Sequence, residues 1–148
     1  MVAGSNPVSR ANKLNEYMEK VKQVIVVRKD LNKGKIASQV AHVSMKVLLD
    51  QMFKTQEVLY DVLHLRVYNN TPMDEWLNGK FTKVCVSCNS EKELLELYDT
   101  AKKLGMPCSL ITDAGLTEFG GVPTRTCIAI GSYYSEEIDK VTGDLKLL

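Results

Sequence analysis

No apolar run in this 148-residue chain approaches the eighteen or so residues of a membrane-spanning helix, so such a span is excluded. The polar start Met1-Val2-Ala3-Gly4-Ser5-Asn6 lacks the apolar core of a secretory signal, and a cytoplasmic protein is the expectation. Aromatic residues amount to 7% and are scattered, which excludes a base-stacking platform for single-stranded nucleic acid. Only one Cys-x-x-C is present, Cys85 to Cys88, where a structural zinc site wants a second pair. Without a secretory signal, structural disulfides are not expected either. Internal repeats and low-complexity tracts are absent.

What is present is an ordinary globular composition, 45% hydrophobic and 25% charged, in a length that suits one domain with a real core. The net charge of +1 is unevenly spread. Residues 1–36 carry eight Lys/Arg against three acidic residues, and the remainder eleven against fifteen. A polyanion docking near the first strand and helix would suit that asymmetry, although solvated charge runs are common. Cys85 and Cys88 fall in a strand-like run, where residues three apart point to opposite faces. Cys85, Cys88, Cys108 and Cys127 are therefore read as small buried hydrophobes, with a thiol-redox or metal role as the competing reading.

Residues 1–20 read as a tail or a short helix, and 21–148 as the folded domain. Gln23–Arg28 is a β-branched run of strand length. Ile36, Val40, Val43 and Val47 then form the core stripe of a helix. Val58, Leu59, Val62, Leu63 and Leu65 suggest a second helix over about 55–66. Thr71-Pro72 opens a short helix with proline in its first turn. A strand at about 81–86 leads to a helix capped by the Ser90-x-x-Glu93 box. Cys108–Thr112 and Thr126–Ile130 read as strands, and Ser135–Val141 as a last short helix. Such an order predicts a single three-layer α/β/α domain around a four-stranded mixed sheet.

Two places carry chemistry. Lys35, Gln39, His42 and Lys46 make a polar line about 100° from the core stripe of the first helix. That helix opens at the C-terminal end of the first strand, the edge where open α/β sheets usually bind ligands. Far downstream, Asp113 ends an apolar strand and precedes Ala114-Gly115. Locally it reads first as a turn aspartate bonding its own backbone. A strand-end carboxylate and a Lys/Gln/His line can also build a hydrolytic site without a metal. A lysine in a first helical turn is mildly disfavoured by the macrodipole and hints at an anionic partner. Thr117 and Thr124 are unremarkable singly, and His64 has no companion.

Three segments in order resemble one family. Lys33-Gly34-Lys35-Ile36-Ala37-Ser38-Gln39-Val40-Ala41-His42 is similar to the helix-opening motif of the archaeal/eukaryotic-type (type II) peptidyl-tRNA hydrolases. Met106 to Gly115, continuing to Thr117, is the second match, and Ala129-Ile130-Gly131 with Ile138 to Leu148 the third. The resemblance runs from about Gln23 to the C-terminus and breaks over residues 50–79. It implies a compact α/β/α fold, often dimeric, that hydrolyses the ester joining a nascent peptide to tRNA. It places the active-site lysine on Lys35, the helix glutamine and histidine on Gln39 and His42, the aspartate on Asp113 and the threonines on Thr117 and Thr124. Gly115, Lys33 and Arg125 join Gln39 and His42 as expected substrate contacts, and Lys29 and Lys46 as further phosphate contacts. No metal or organic cofactor is implied.

In this scheme Asp113 orients or deprotonates a water, while Lys35 stabilises negative charge or holds a phosphate. Thr117, Thr124 and loop amides near Gly115 place the water and the carbonyl. Gln39 and His42 orient Lys35 or touch RNA. Three departures stand out. The Asp30–Lys35 loop is short, Leu116 replaces an arginine common in the family, and the 118–123 loop is a residue longer. The last makes Thr126 the alternative to Thr124. The competing reading is a non-catalytic tRNA-binding or protein-interaction module of the same fold.

Overall fold

The computed structural model describes residues 20–116 and 119–148. The expected tail or helix over 1–20 lies outside them but for Lys20, and so does Thr117. Strand β1 (Val21–Arg28) leads into helix α1 (Lys33–Leu49). Strands β2 (Phe53–Gln56) and β3 (Asp61–His64) and the short helix α2 (Pro72–Asn78) follow. Strand β4 (Lys83–Cys88), helix α3 (Glu91–Lys103), strands β5 (Cys108–Asp113) and β6 (Thr124–Tyr134) and helix α4 (Ser135–Thr142) complete the order.

The main sheet runs β4-β1-β6-β5 and is mixed, as the sequence predicts. β1 pairs with β4 in parallel and with β6 antiparallel, and β6 pairs with β5 antiparallel. β1 and β5 therefore point the same way and end at the same edge. Along β1 the side chains alternate between two cores. Val24 and Val26 join Val86, Leu94, Ile128, Ile130 and Ile138 beneath α3 and α4. Ile25 and Val27 join Val43, Val47, Cys127 and Ala129 beneath α1. Both faces are covered, which is why the central strands read as unbroken hydrophobic runs.

The caps follow local chemistry. The side chains of Asn32, Thr71 and Ser90 accept the backbone N–H of Lys35, Asp74 and Glu93, fixing the starts of α1, α2 and α3. Trp76 is buried on α2, and its indole N–H donates to the Thr82 carbonyl at 2.7 Å. The outer edge of β4 is closed by the C-terminus. There Ser87 N–H donates to Lys146 O, and Leu148 N–H to Cys85 O.

One expectation fails. Residues 55–66 are not a helix: β2 and β3 form a separate two-stranded hairpin, with Phe53 opposite His64 and Gln56 opposite Asp61. Val58 and Leu59 occupy its tip, and Glu57 N–H donates to Tyr60 O at 2.8 Å. The spacing of apolar residues was helical, and no Asn-Gly or Asp-Gly pair announced a turn. Leu104, at the C-terminal cap of α3, is about half exposed.

Leu94 is fully buried on α3 against the central sheet. Leu94→Ala should cost about 2–5 kcal/mol of unfolding free energy, read as a lower urea midpoint at unchanged slope.

Candidate active site

Asn32 caps α1 so that Lys35 lies in its first turn, just past the C-terminal end of β1. Asp113 is the last residue of β5, at the same edge of the sheet. These residues, 78 positions apart, meet: Lys35 Nζ donates to Asp113 Oδ2 at 2.5 Å, with both side chains about 15% exposed. The first turn of α1 holds no acidic residue, so Asp113 supplies from another strand the anion that the helix start favours.

Gln39, one turn along α1 and buried, also donates to Asp113 Oδ2, at 3.2 Å. It therefore orients the carboxylate as well as lying beside the lysine. Its Oε1 accepts the hydroxyl of buried Thr126 at 2.7 Å. Cys127 Sγ donates to its backbone carbonyl at 3.3 Å. Asp113 Oδ1 accepts Gly115 N–H at 2.8 Å, the local backbone contact expected of a turn aspartate. Three donors thus converge on a carboxylate that offers about four acceptor positions.

Thr126 reaches this network through a bulge. Ile111 pairs with Cys127, but Thr112 pairs with Arg125, leaving Thr126 as the extra residue on β6. Strict alternation would point it with Ile128 towards α3; the bulge turns its hydroxyl to α1. Thr124 lies opposite Asp113 in the ladder, but its own hydroxyl donates to Val122 O at 2.9 Å. The sequence signalled Thr126 only as the alternative that the longer loop allowed.

Gly115 is buried with φ +79°, and a Cβ there would lie 2.1 Å from the Val122 carbonyl oxygen. Its carbonyl also accepts Gly121 N–H at 2.8 Å, so it ties the loop closed. His42 and Lys33 are exposed on α1 beyond this cluster. Arg125 is exposed and pairs with Glu91 at 3.2 Å, while Arg28 bridges Asp30, Glu91 and the Arg125 carbonyl. Lys46 is engaged by Asp50, far down the helix from Lys35.

The Asp113 carboxyl is held below the ordinary carboxylate range. The Lys35 hydrogen bond is the largest cause, followed by the Gly115 N–H, and burial opposes both. The thiols go the other way: burial pushes Cys88 up to about 11 and Cys108 and Cys127 up to about 12. Cys85 packs with the α1 core and Cys88 with the opposite one, so the two sulfurs of the Cys-x-x-C lie on opposite faces of β4.

Residues 21–148 match the family described as "Peptidyl-tRNA hydrolase PTH2". This chain belongs to that family. A peptidyl-tRNA hydrolase of Methanopyrus kandleri is 45% identical over 129 residues, covering 86% of this chain and 97% of the relative. That of Methanocaldococcus jannaschii is 42% identical over 130 residues, covering 86% and 100%. That of Thermococcus sibiricus is 43% identical over 139 residues, covering 88% and 100%. The solved structure of a protein of unknown function from Agrobacterium tumefaciens shares the fold at 11% identity. Its TM-score is 0.53, over 88% of this chain and 99% of that one. Leu116, three residues after Asp113, is almost fully exposed.

Two outcomes follow. Gly115→Ala forces the loop off Val122 and should lower both thermal stability and the order of the site, seen as faster amide exchange at residues 113–122. The folded carboxyl of Asp113 lies below its unfolded value. Its stabilisation is therefore full above roughly pH 4 and is lost as pH falls through the lower folded value. In urea titrations, the advantage of wild type over Asp113→Asn should hold from pH 7 to about 5 and shrink below about 4.

Proposed function

We propose that the Lys35–Asp113–Gln39–Thr126 cluster is the centre at which this family member hydrolyses the ester between a nascent peptide and tRNA. The observation that carries this reading is the Asp113 carboxylate. It is ionised and clamped by three donors at the ligand-binding edge of the sheet, and it keeps acceptor capacity for a solvent molecule. A carboxylate depressed below its usual range is a poor proton acceptor, so its contribution is orientation of the attacking water rather than full abstraction. Lys35 is placed to share its charge between Asp113 and the oxyanion that develops on the ester carbonyl. Gln39 adds a second donor to the Oδ2 that Lys35 holds, and Thr126 fixes which way the Gln39 amide faces. Gly115 N–H is already committed to Asp113 and the Thr124 hydroxyl to Val122 O, so carbonyl contacts fall to other groups of the loop, Thr117 among them.

His42 and Lys33, exposed along α1 from Lys35, are proposed to meet the RNA, and Lys29 and Arg125 to contact phosphates. Arg125 would exchange Glu91 for phosphate to do so. Phosphate grip makes binding steeply dependent on salt. Peptidyl-tRNA is the proposed substrate, the cytoplasm the proposed location, and a homodimer the proposed assembly.

Release of an N-blocked amino acid from N-acyl-aminoacyl-tRNA tests the centre. Asp113→Ala and Lys35→Ala should each lower kcat/KM by about two orders of magnitude or more. Thr126→Val should lower kcat with little change in KM, because the hydroxyl acts through Gln39. A Cys85→Ser, Cys88→Ser double variant should turn over normally. A folded wild type that binds tRNA tightly without releasing peptide would instead make this a binding module.

A further inference from the structure

Residues 50–79 contain both the β2–β3 hairpin and most of the walls of a cavity. The cavity, of about 470 Å³, lies between the end of α1, the start of α2 and the far end of β6. Phe53, Arg66, Tyr68, Met73, Pro107 and Ser132 are among its walls. It is at the opposite end of the sheet from Asp113, since Tyr133, which follows Ser132, pairs with Lys22 at the start of β1. One group in it is unusual. Ser132 Oγ is buried and is the only buried side-chain polar atom among the described residues that finds no hydrogen-bond partner. A hydroxyl in that position costs free energy until a partner arrives.

The hairpin has the reverse problem. All four residues of β2 are exposed, and at the tip Val58 is 98%, Leu59 90% and Tyr60 65% exposed. A lone two-stranded hairpin is marginal in water; further strands or an apolar cover are needed. Arg66 stacks over Phe53, and Phe53 over His64, so the base is braced while the tip is not.

We propose that the hairpin is an exchange arm whose tip, Leu59 and Tyr60, enters the base cavity of a second copy of this chain. The inference rests on the reading of the protein as a homodimer and names its contact. Charge disfavours RNA as the occupant: Lys54 is neutralised by Asp61 at 3.1 Å, and Glu57 stands beside the tip. A foreign protein would need only the plug or only the socket. Both lie on this one segment, and a two-fold axis that seats one arm necessarily seats the other, closing the assembly. Strands of four residues reach about 13 Å, enough for two antiparallel arms to lie side by side, tip to base. The arms then form a four-stranded unit, and Leu59 and Tyr60 cover the apolar part of the cavity wall.

Sedimentation equilibrium of the full chain tests this with two variants. Wild type should be dimeric at micromolar concentration. Leu59→Asp with Tyr60→Asp should weaken the dimer at least about 100-fold with an unchanged circular-dichroism spectrum. Tyr60→Cys with Thr71→Cys should give a covalent dimer on oxidation, and neither cysteine alone should. A monomeric wild type overturns both the arm and the homodimer reading, and loss of tRNA binding by the tip variant of that monomer would make RNA the occupant. A dimer that ignores the tip charges and forms no double-cysteine cross-link overturns the arm alone. Peptide release, measured alongside, reports separately on the hydrolytic reading.

Discussion

The antiparallel pairing of β1 with β6 at the centre of the sheet decides where everything else goes. Because β6 runs against both β1 and β5, those two strands end at one edge. The loop after β1 becomes the start of α1, and the last residue of β5 becomes its neighbour. Had β5 run the other way, Asp113 would lie some 20 Å from Lys35, at the rise of a strand residue. Burial on both faces locks this register, since a slip by one residue would exchange the two cores.

On that frame the site is electrostatic in character. A helix start rich in lysine, an anion contributed from another strand and a buried amide that fixes the carboxylate make a preorganised cluster. Two of its three donors, Lys35 and Gln39, are held by helix α1, so little reorganisation is needed when charge develops. Arg28 and Arg125 extend the same edge through a chain of ion pairs with Asp30 and Glu91. The Arg125–Glu91 pair, the most exposed of these, contributes little to stability and can be exchanged for phosphate at small cost.

The opposite end of the sheet follows other rules. There the chain carries the β2–β3 hairpin, with an apolar tip in water, and a cavity whose wall includes a buried serine hydroxyl without a partner. The two ends are joined by the rigid length of α1 and the central strands. The hydrolytic frame can therefore remain intact while the far end acquires a new contact.

The sequence by itself determined the periodic elements, their caps and the strand-end position of Asp113, because these depend on neighbours within a turn or two. Val24 to Val27, the Thr71 and Ser90 caps and the Lys35/Gln39 line were all legible that way. Only the tertiary structure decided that Gln39 clasps Asp113 and that a bulge turns Thr126 inward. It alone also decided that residues 53–64 pair as strands although their apolar spacing is helical. Each of those outcomes depends on a partner distant in sequence or on a ladder register. A hydrophobic pattern records which residues are buried, but not which residue across the sheet buries them.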